Sequence, residues 1–278
     1  MKLVGEFTSL NTAIVISLIA FWLQAILLFF KFEQKKQKII NQISFGLISL
    51  GIFVSLSIRG VNLERFPIAN LYESLLLTTL GIAVIFFILN LRNNLDFLAW
   101  PILICILGLL MSAAWLPSSQ KDAIPLIPAL RSYWRAIHVP PLLFSYGFFL
   151  LASIVSIFQL IESNRQSSSP EALKRIKIYQ DLQYRFIVFG FPLLTFGIVT
   201  GALWANKSWG NLWQWDPKEN LALVTWFCYL AFIHLKTTNK ASANKLSYIV
   251  LGGLFATYMT YLGINQFNLG GLHTYGQI

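Results

Sequence analysis

Three histidines and one aromatic stretch hold most of the chemistry this chain can offer. Residues 209–220 read WGNLWQWDPKEN, so Trp209, Trp213 and Trp215 fall within seven residues and Asp216-Pro217-Lys218-Glu219 follows at once. A fourth indole, Trp204, stands just upstream, and the histidines are His138, His234 and His273. A neutral imidazole is a good ligand for iron, and two imidazoles can hold one iron from opposite faces. The acids have a local use: Asp216 is placed to cap a helix, Pro217 suits its first position, and Glu219 sits where a capping-box acid belongs.

The tryptophans allow two readings. Indole rings gather at membrane interfaces, where one edge is apolar and the other wet. Four in one short loop also make a platform for a large flat apolar ligand, with Trp209 and Trp213 one helical turn apart. The histidines favour the platform. His138 in WRAIHVPP and His273 in GGLHTYG are expected on the same side of a membrane as the aromatic stretch, and His234 in FIHLK at the opposite end of its helix. Two imidazoles beside a flat aromatic surface suit haem. Its propionates would need cations, and Arg131, Arg135 and Lys207 are expected on that side, the two arginines at helical spacing from His138.

The elements that must position these residues are apolar helices. Of 278 residues, 56% are hydrophobic and 12% charged, about half the charge of an ordinary soluble domain, and the mean hydropathy is +0.64. Eight spans can be drawn, at about 10–30, 43–58, 68–91, 97–113, 141–161, 187–204, 221–235 and 246–262. The first is long enough to cross a hydrocarbon core of about 30 Å. The predicted fold is an all-α polytopic membrane protein, a single membrane domain over 1–278 with the Trp loop at 204–220. No small-residue cleavage site follows the first span, so no cleavable address is expected.

Basic residues set the expected topology. The loops after spans 1, 3, 5 and 7 hold 13 of the 21 Lys and Arg: Lys31, Lys35, Lys36, Lys38, Arg92, Arg165, Lys174, Arg175, Lys177, Arg185, Lys236, Lys240 and Lys245. These loops should face the cytoplasm or its equivalent, the cis side. Both termini, the 114–140 loop and the Trp loop then face the trans side.

Other chemistries are excluded or quiet. The net charge of +10 flanks apolar blocks and is not interleaved with exposed aromatics, so it reads as topology signal and lipid contact, not nucleic-acid binding. Cys105 and Cys228 lie inside apolar blocks and belong to no Cys-x-x-Cys, so no thiol relay is expected. There is no nucleophile–base pair, phosphate-binding glycine loop or zinc-type motif. Glu73, an acid within span 3, would be a functional candidate by default, but a bond to Arg59 or Arg65 explains it better.

The segment Trp-Gly-x-x-Trp-x-Trp-Asp-Pro-Lys-Glu, with a trans-side histidine before it and another after it, resembles the WWD motif of the haem-handling membrane proteins. Further matching pieces are FPIANLYESLL (66–77), SYWRAIHVPPLLFSYG (132–147) and GGLHTYG (270–276), in order from about residue 40 onward. Within that family the chain is similar to the CcsA (ResC, CcsC) type of System II cytochrome c maturation, in its short plastid and cyanobacterial form.

The resemblance implies roles. His138 and His273 match the external histidines that ligate haem iron, Trp209, Trp213, Trp215 and Asp216 match the platform, and His234 matches the histidine of a membrane-embedded haem site. Haem b would be the transported ligand, carried to the trans side and presented for covalent attachment to the Cys-x-x-Cys-His motifs of apocytochromes c. No side chain need act as acid, base or nucleophile, and the chain would be a subunit of a haem lyase. Implied partners are a ResB (CcsB)-type membrane protein and apocytochromes c, cytochrome f among them in a thylakoid membrane. Two alternatives stay open: a haem exporter without attachment activity, and a permease or scaffold that binds no haem.

Overall fold

The computed structural model describes residues 2–29, 33–121, 131–165, 169–267 and 270–271. Among them every regular element is helical: α1 (Lys2–Phe29), α2 (Gln34–Leu63), α3 (Leu71–Arg92), α4 (Ala99–Trp115), the short α5 (Ser118–Lys121), α6 (Trp134–Asn164), α7 (Pro170–Trp209), α8 (Pro217–Thr237) and α9 (Ala243–Tyr258). A π-helical turn, Met259–Gly263, extends α9. Six helices are long and apolar enough to cross a membrane, and a shorter apolar stretch lies at Leu10–Ile26. The protein is an all-α polytopic membrane protein.

Each of the eight sequence-derived spans coincides with one long helix, and most helices overrun their span, although the spans from 68 and 97 begin ahead of α3 (Leu71) and α4 (Ala99). α2 starts nine residues before its span, at Gln34, and α7 begins at Pro170 where an apolar span from 187 was expected. The overrun has a physical reason: a helix continues into water until a cap or breaker stops it, whereas a hydropathy window sees only the part in lipid. Ser169 caps α7, its side chain accepting from the Ala172 N–H, and Pro170 sits at the first position.

The chain forms two compact units, Met1–Leu126 and Ile127–Ile278. In the first, α1 packs on α2 and α4, and α3 packs on the same two, closing a ring of four. Phe45 and Phe86 meet in its core with ring centroids 4.4 Å apart, among the fully buried Ile48, Ile52, Leu76 and Ile102. Polar clusters close both ends. At one, Arg59 Nε donates to Glu73 Oε1 (2.8 Å) and Arg65 donates to both Glu73 oxygens (2.9 and 2.7 Å). The expected partners of Glu73 are thus the observed ones, and Arg59 also reaches the Lys121 carbonyl (2.5 Å). At the other, Asn41 and Asn90 donate to Asp96 Oδ1 (2.7 and 2.9 Å), and Gln24 pairs with Asn41. Eighteen residues of α2 separate Asn41 from Arg59, a rise of about 27 Å and close to a hydrocarbon core of about 30 Å. Val15, Ile19, Leu50 and Phe53 are exposed between these ends, as lipid-facing residues must be.

The second unit repeats the plan: α6 packs on α7 and α9, and α8 packs on the same two. Glycines of α7 let α6 approach closely. A Cβ at Gly190 would lie 2.8 Å from Phe149 Cε1, one at Gly197 would strike Leu142, and one at Gly201 would lie 2.5 Å from the His138 ring. The partners run in opposite order, the register of an antiparallel pair. Deeper in, Phe149 stacks on Tyr229 at 3.6 Å. The far end of this ring is a polar clasp: Gln183 donates to Ser247 (2.8 Å), Ser247 to Gln159, and Gln159 to Asn244 (2.9 Å).

Candidate functional site

Helix α6 carries His138 four residues after its first residue, Trp134, with Pro140 and Pro141 just beyond. The prolines donate no N–H, so the ladder of α6 is interrupted next to His138. Its half-buried ring lies on α7, with Nδ1 2.6 Å from the Gly197 carbonyl oxygen. A carbonyl only accepts, so the proton of this bond is on Nδ1. The ring also stacks on Trp204, centroids 6.0 Å apart and planes 16° apart, and Trp204 meets Trp209 edge-on at 4.9 Å. Trp204 is 4% exposed, a buried support beneath the two more accessible rings.

Helix α7 stops at Trp209 because Gly210 turns into the left-handed region (φ 81°), its N–H bonding to the Asn206 carbonyl at 2.9 Å. The expected one-turn spacing of Trp209 and Trp213 on a common helix is therefore corrected. The four indoles form two pairs, Trp204 with Trp209 and Trp213 with Trp215, the second edge-to-face at 5.9 Å. Arg131 is likewise not on α6, which begins at Trp134; Arg135, buried in its first turn, shares the helix with His138.

The acids hold the loop in shape. Asp216 Oδ1 accepts from the Lys218 N–H (2.8 Å), and Glu219 Oε2 accepts from the N–H groups of Gln214 (2.8 Å) and Asp216 (3.2 Å). The expected capping box is present, with Pro217 at the first position of α8. It does more than start a helix, because Glu219 ties down the backbone on both sides of Trp215. That residue has φ 56°, a conformation bulky side chains seldom adopt, and its side chain is 68% exposed. Asn220 adds a bond to the Trp215 carbonyl (2.9 Å). The result is an indole held out from the fold. Nearby, the buried Nε1 of Trp213 and Oγ of Ser208 have no hydrogen-bond partner, which is uncommon for a buried polar group.

His234 stands apart. It lies in the last turn of α8, exposed, seventeen residues after Pro217, about 25 Å along the axis. This agrees with its expected position at the far end of the helix. His273 lies outside the described residues. Gly271 (φ 107°) is described, and a Cβ there would strike Asp216 and lie 3.1 Å from Pro217 Cδ. Gly271 thus abuts the cap and the first residue of α8. Cys105 and Cys228 are both free, and no cluster of three or more metal-ligating side chains occurs among the described residues.

Gly197 and Gly201 went unremarked in the sequence, although GIVTG places two glycines four apart in an apolar helix, the spacing that lets membrane helices approach closely. Their contacts with His138 make them part of the site.

Comparison with known proteins gives the family. Residues 68–272, which include Glu73, His138, α7 and the Trp loop, match the family described as Cytochrome C assembly protein. The chain is 34% identical to the cytochrome c biogenesis protein CcsA of Guillardia theta, covering 95% of this chain and 93% of that protein. It is 30% identical to the CcsA of Prochlorococcus marinus over 96% of this chain and 94% of that protein, and 36% identical to that of Chlamydomonas reinhardtii over 85% and 68%. Two four-helix rings, an indole loop anchored by a capping box, and near-complete alignment with plastid and cyanobacterial proteins lead to one assignment: the chain belongs to the CcsA family of cytochrome c biogenesis proteins.

Proposed function

We propose that this chain holds haem b at the α6–α7–α8 end of its second unit and presents it for attachment to apocytochromes c. The observation that carries the reading is His138, with its Nδ1 bonded to an α7 carbonyl, beside indoles that include an outward-held Trp215. An imidazole whose Nδ1 carries the proton keeps its lone pair on Nε2, the form that ligates iron. A ligating imidazole stands on edge to the porphyrin. Trp204, nearly parallel to the His138 ring, therefore flanks the ligand, and Trp209, Trp213 and Trp215 are the indoles available to the macrocycle. The unpartnered Trp213 N–H suits a carboxylate-bearing ligand. His273 supplies the second imidazole, and Gly271 packed on Asp216 and Pro217 supports that pairing. Asp216 acts by shaping the loop, and His234 serves haem arriving from the cis side.

In attachment, each cysteine thiol of a Cys-x-x-Cys-His motif adds across a haem vinyl group, sulfur bonding to one carbon and hydrogen to the other. This chain contributes position: it fixes the iron and the ring plane, and no step needs its own acid or base. A ResB-type membrane protein completes the ligand set at His234, the thylakoid membrane is the setting, and the Trp loop faces the lumen.

The test is a reduced pyridine haemochrome spectrum of the purified protein and of His138→Ala, His234→Ala and His273→Ala. Haem in the wild type, and its loss or altered spectrum in His138→Ala and His273→Ala, is the expected result. A colourless wild-type protein purified with its partner sinks the proposal. Adding an apocytochrome peptide separates attachment from export, since only attachment yields haem that survives acid–acetone extraction.

A further inference from the structure

Resting on that reading of His138, we propose that Gly197 and Gly201 of α7 are positioning residues for the haem ligand. The Gly197 carbonyl fixes the proton on His138 Nδ1, and the missing side chain at Gly201 is the slot in which the ring sits. Three observations meet at this point. The Nδ1–oxygen distance is 2.6 Å, and the acceptor is a main-chain carbonyl that cannot reverse its role. A Cβ at Gly201 would lie 2.5 Å from His138 Cε1 and 2.7 Å from Nδ1, separations that real Cβ atoms do not tolerate. Trp204, one turn beyond Thr200 and buried, covers the ring at a 16° tilt. Carbonyl, slot and indole all belong to one helix, so α7 acts on both the tautomer and the orientation of the imidazole.

The same carbonyl takes a weaker second bond from Thr200 Oγ1 (3.2 Å), whose main acceptor is the Phe196 carbonyl at 2.8 Å. A helical carbonyl has room for such a side partner beside its ladder bond. Outer partners of this kind raise the basicity of a ligating imidazole and fix its ring plane. Leu142, one turn after His138, packs where a Gly197 side chain would be, so the two glycines serve one stretch of α6 and act together.

The experiment uses the full chain in detergent, labelled at histidine. It has only three histidines, so single variants assign each signal. Imidazole nitrogen chemical shifts are recorded on haem-free protein at mildly alkaline pH, where an ordinary imidazole is neutral. His138 is expected to carry its proton on Nδ1 and to have a bare Nε2. Gly201→Ala should lose that single tautomer, and with haem bound it should convert a low-spin spectrum into a mixture with high-spin haem. Gly252→Ala, where a Cβ meets open space, should change neither. A wild-type His138 protonated on Nε2 overturns the proposal even if Gly201→Ala does not fold. So does a Gly201→Ala protein whose tautomer and haem spectrum both match the wild type. If His138→Ala keeps the wild-type haem spectrum while the Nδ1 proton is found as expected, the haem-ligand reading fails and with it this role, though the carbonyl bond stands.

Discussion

Glu73 and Glu162 are both carboxylates bonded to arginine, and their surroundings give them opposite weights. Glu73 is 0% exposed, bonded to Arg59 and Arg65, which are 3% and 15% exposed. Removing the carboxylate leaves two guanidinium groups at a protein-buried end of the ring with their anion gone, and breaking a buried pair in this way costs about 3–5 kcal/mol. Glu73→Ala is therefore expected to lower the thermal unfolding midpoint in detergent strongly. Glu162 bonds to Arg175 at 2.6 Å, but that arginine is 48% exposed and keeps its water. Glu162 is itself buried, but its removal strands only a half-exposed arginine, so Glu162→Ala should move the same midpoint far less. Equal effects of the two substitutions would refute the distinction. The Glu73 partners were legible in the sequence, because Arg59 and Arg65 are the cations at the same end of span 3. The third arm, from Arg59 to the Lys121 carbonyl, was not, since a long-range bond to a main-chain oxygen leaves no trace in residue type.

At the scale of elements, apolar blocks located the eight long helices among the described residues and not where they stop. Gly210 ends α7 at Trp209 and splits the indoles into two pairs, a break that a spacing argument passes over unless the glycine is read as a left-handed cap. The Pro217 start of α8 was readable because its capping box is written in four consecutive residues. How closely α6 and α7 pack was encoded only in the glycines of α7. Gly190 carries the clearest prediction. Its added Cβ would lie 2.8 Å from Phe149, whose ring cannot retreat because it stacks on Tyr229 at 3.6 Å. Gly190→Ala should destabilise by about 1–3 kcal/mol, the usual cost of overpacking. Gly252→Ala meets nothing within 4 Å and should leave stability unchanged or raise it by up to about 1 kcal/mol, since alanine restricts the unfolded chain. Fluorescence-detected size exclusion after a heat step ranks the two, and the reverse order would show that α6 and α7 do not approach at these glycines.

For the molecule as a whole, charge decides which way the rings face. In the second unit most basic residues gather at one end: Lys174, Arg175 and Lys177 lie on the part of α7 that extends past the Gln183 clasp, Lys240 lies between α8 and α9, and Lys245 lies in the first turn of α9. The Trp loop lies at the other end, joined to the first by α8, which rises about 31 Å. Lys and Arg are retained on the cis side during insertion, so the loop between α8 and α9 should face cis and the Trp loop trans. Single cysteines at Lys240 and Leu212, in a chain with Cys105 and Cys228 replaced by serine, report this directly. Leu212 is 53% exposed, so its replacement is open to a thiol reagent. In sealed vesicles with the cis face outward, a membrane-impermeant maleimide should label Lys240→Cys at once and Leu212→Cys only after permeabilisation. Labelling in the opposite sense would put the indoles on the side where haem is made. A chain so oriented could not present haem to apocytochromes across the membrane, and the proposed attachment role would fall while the fold and its family stood.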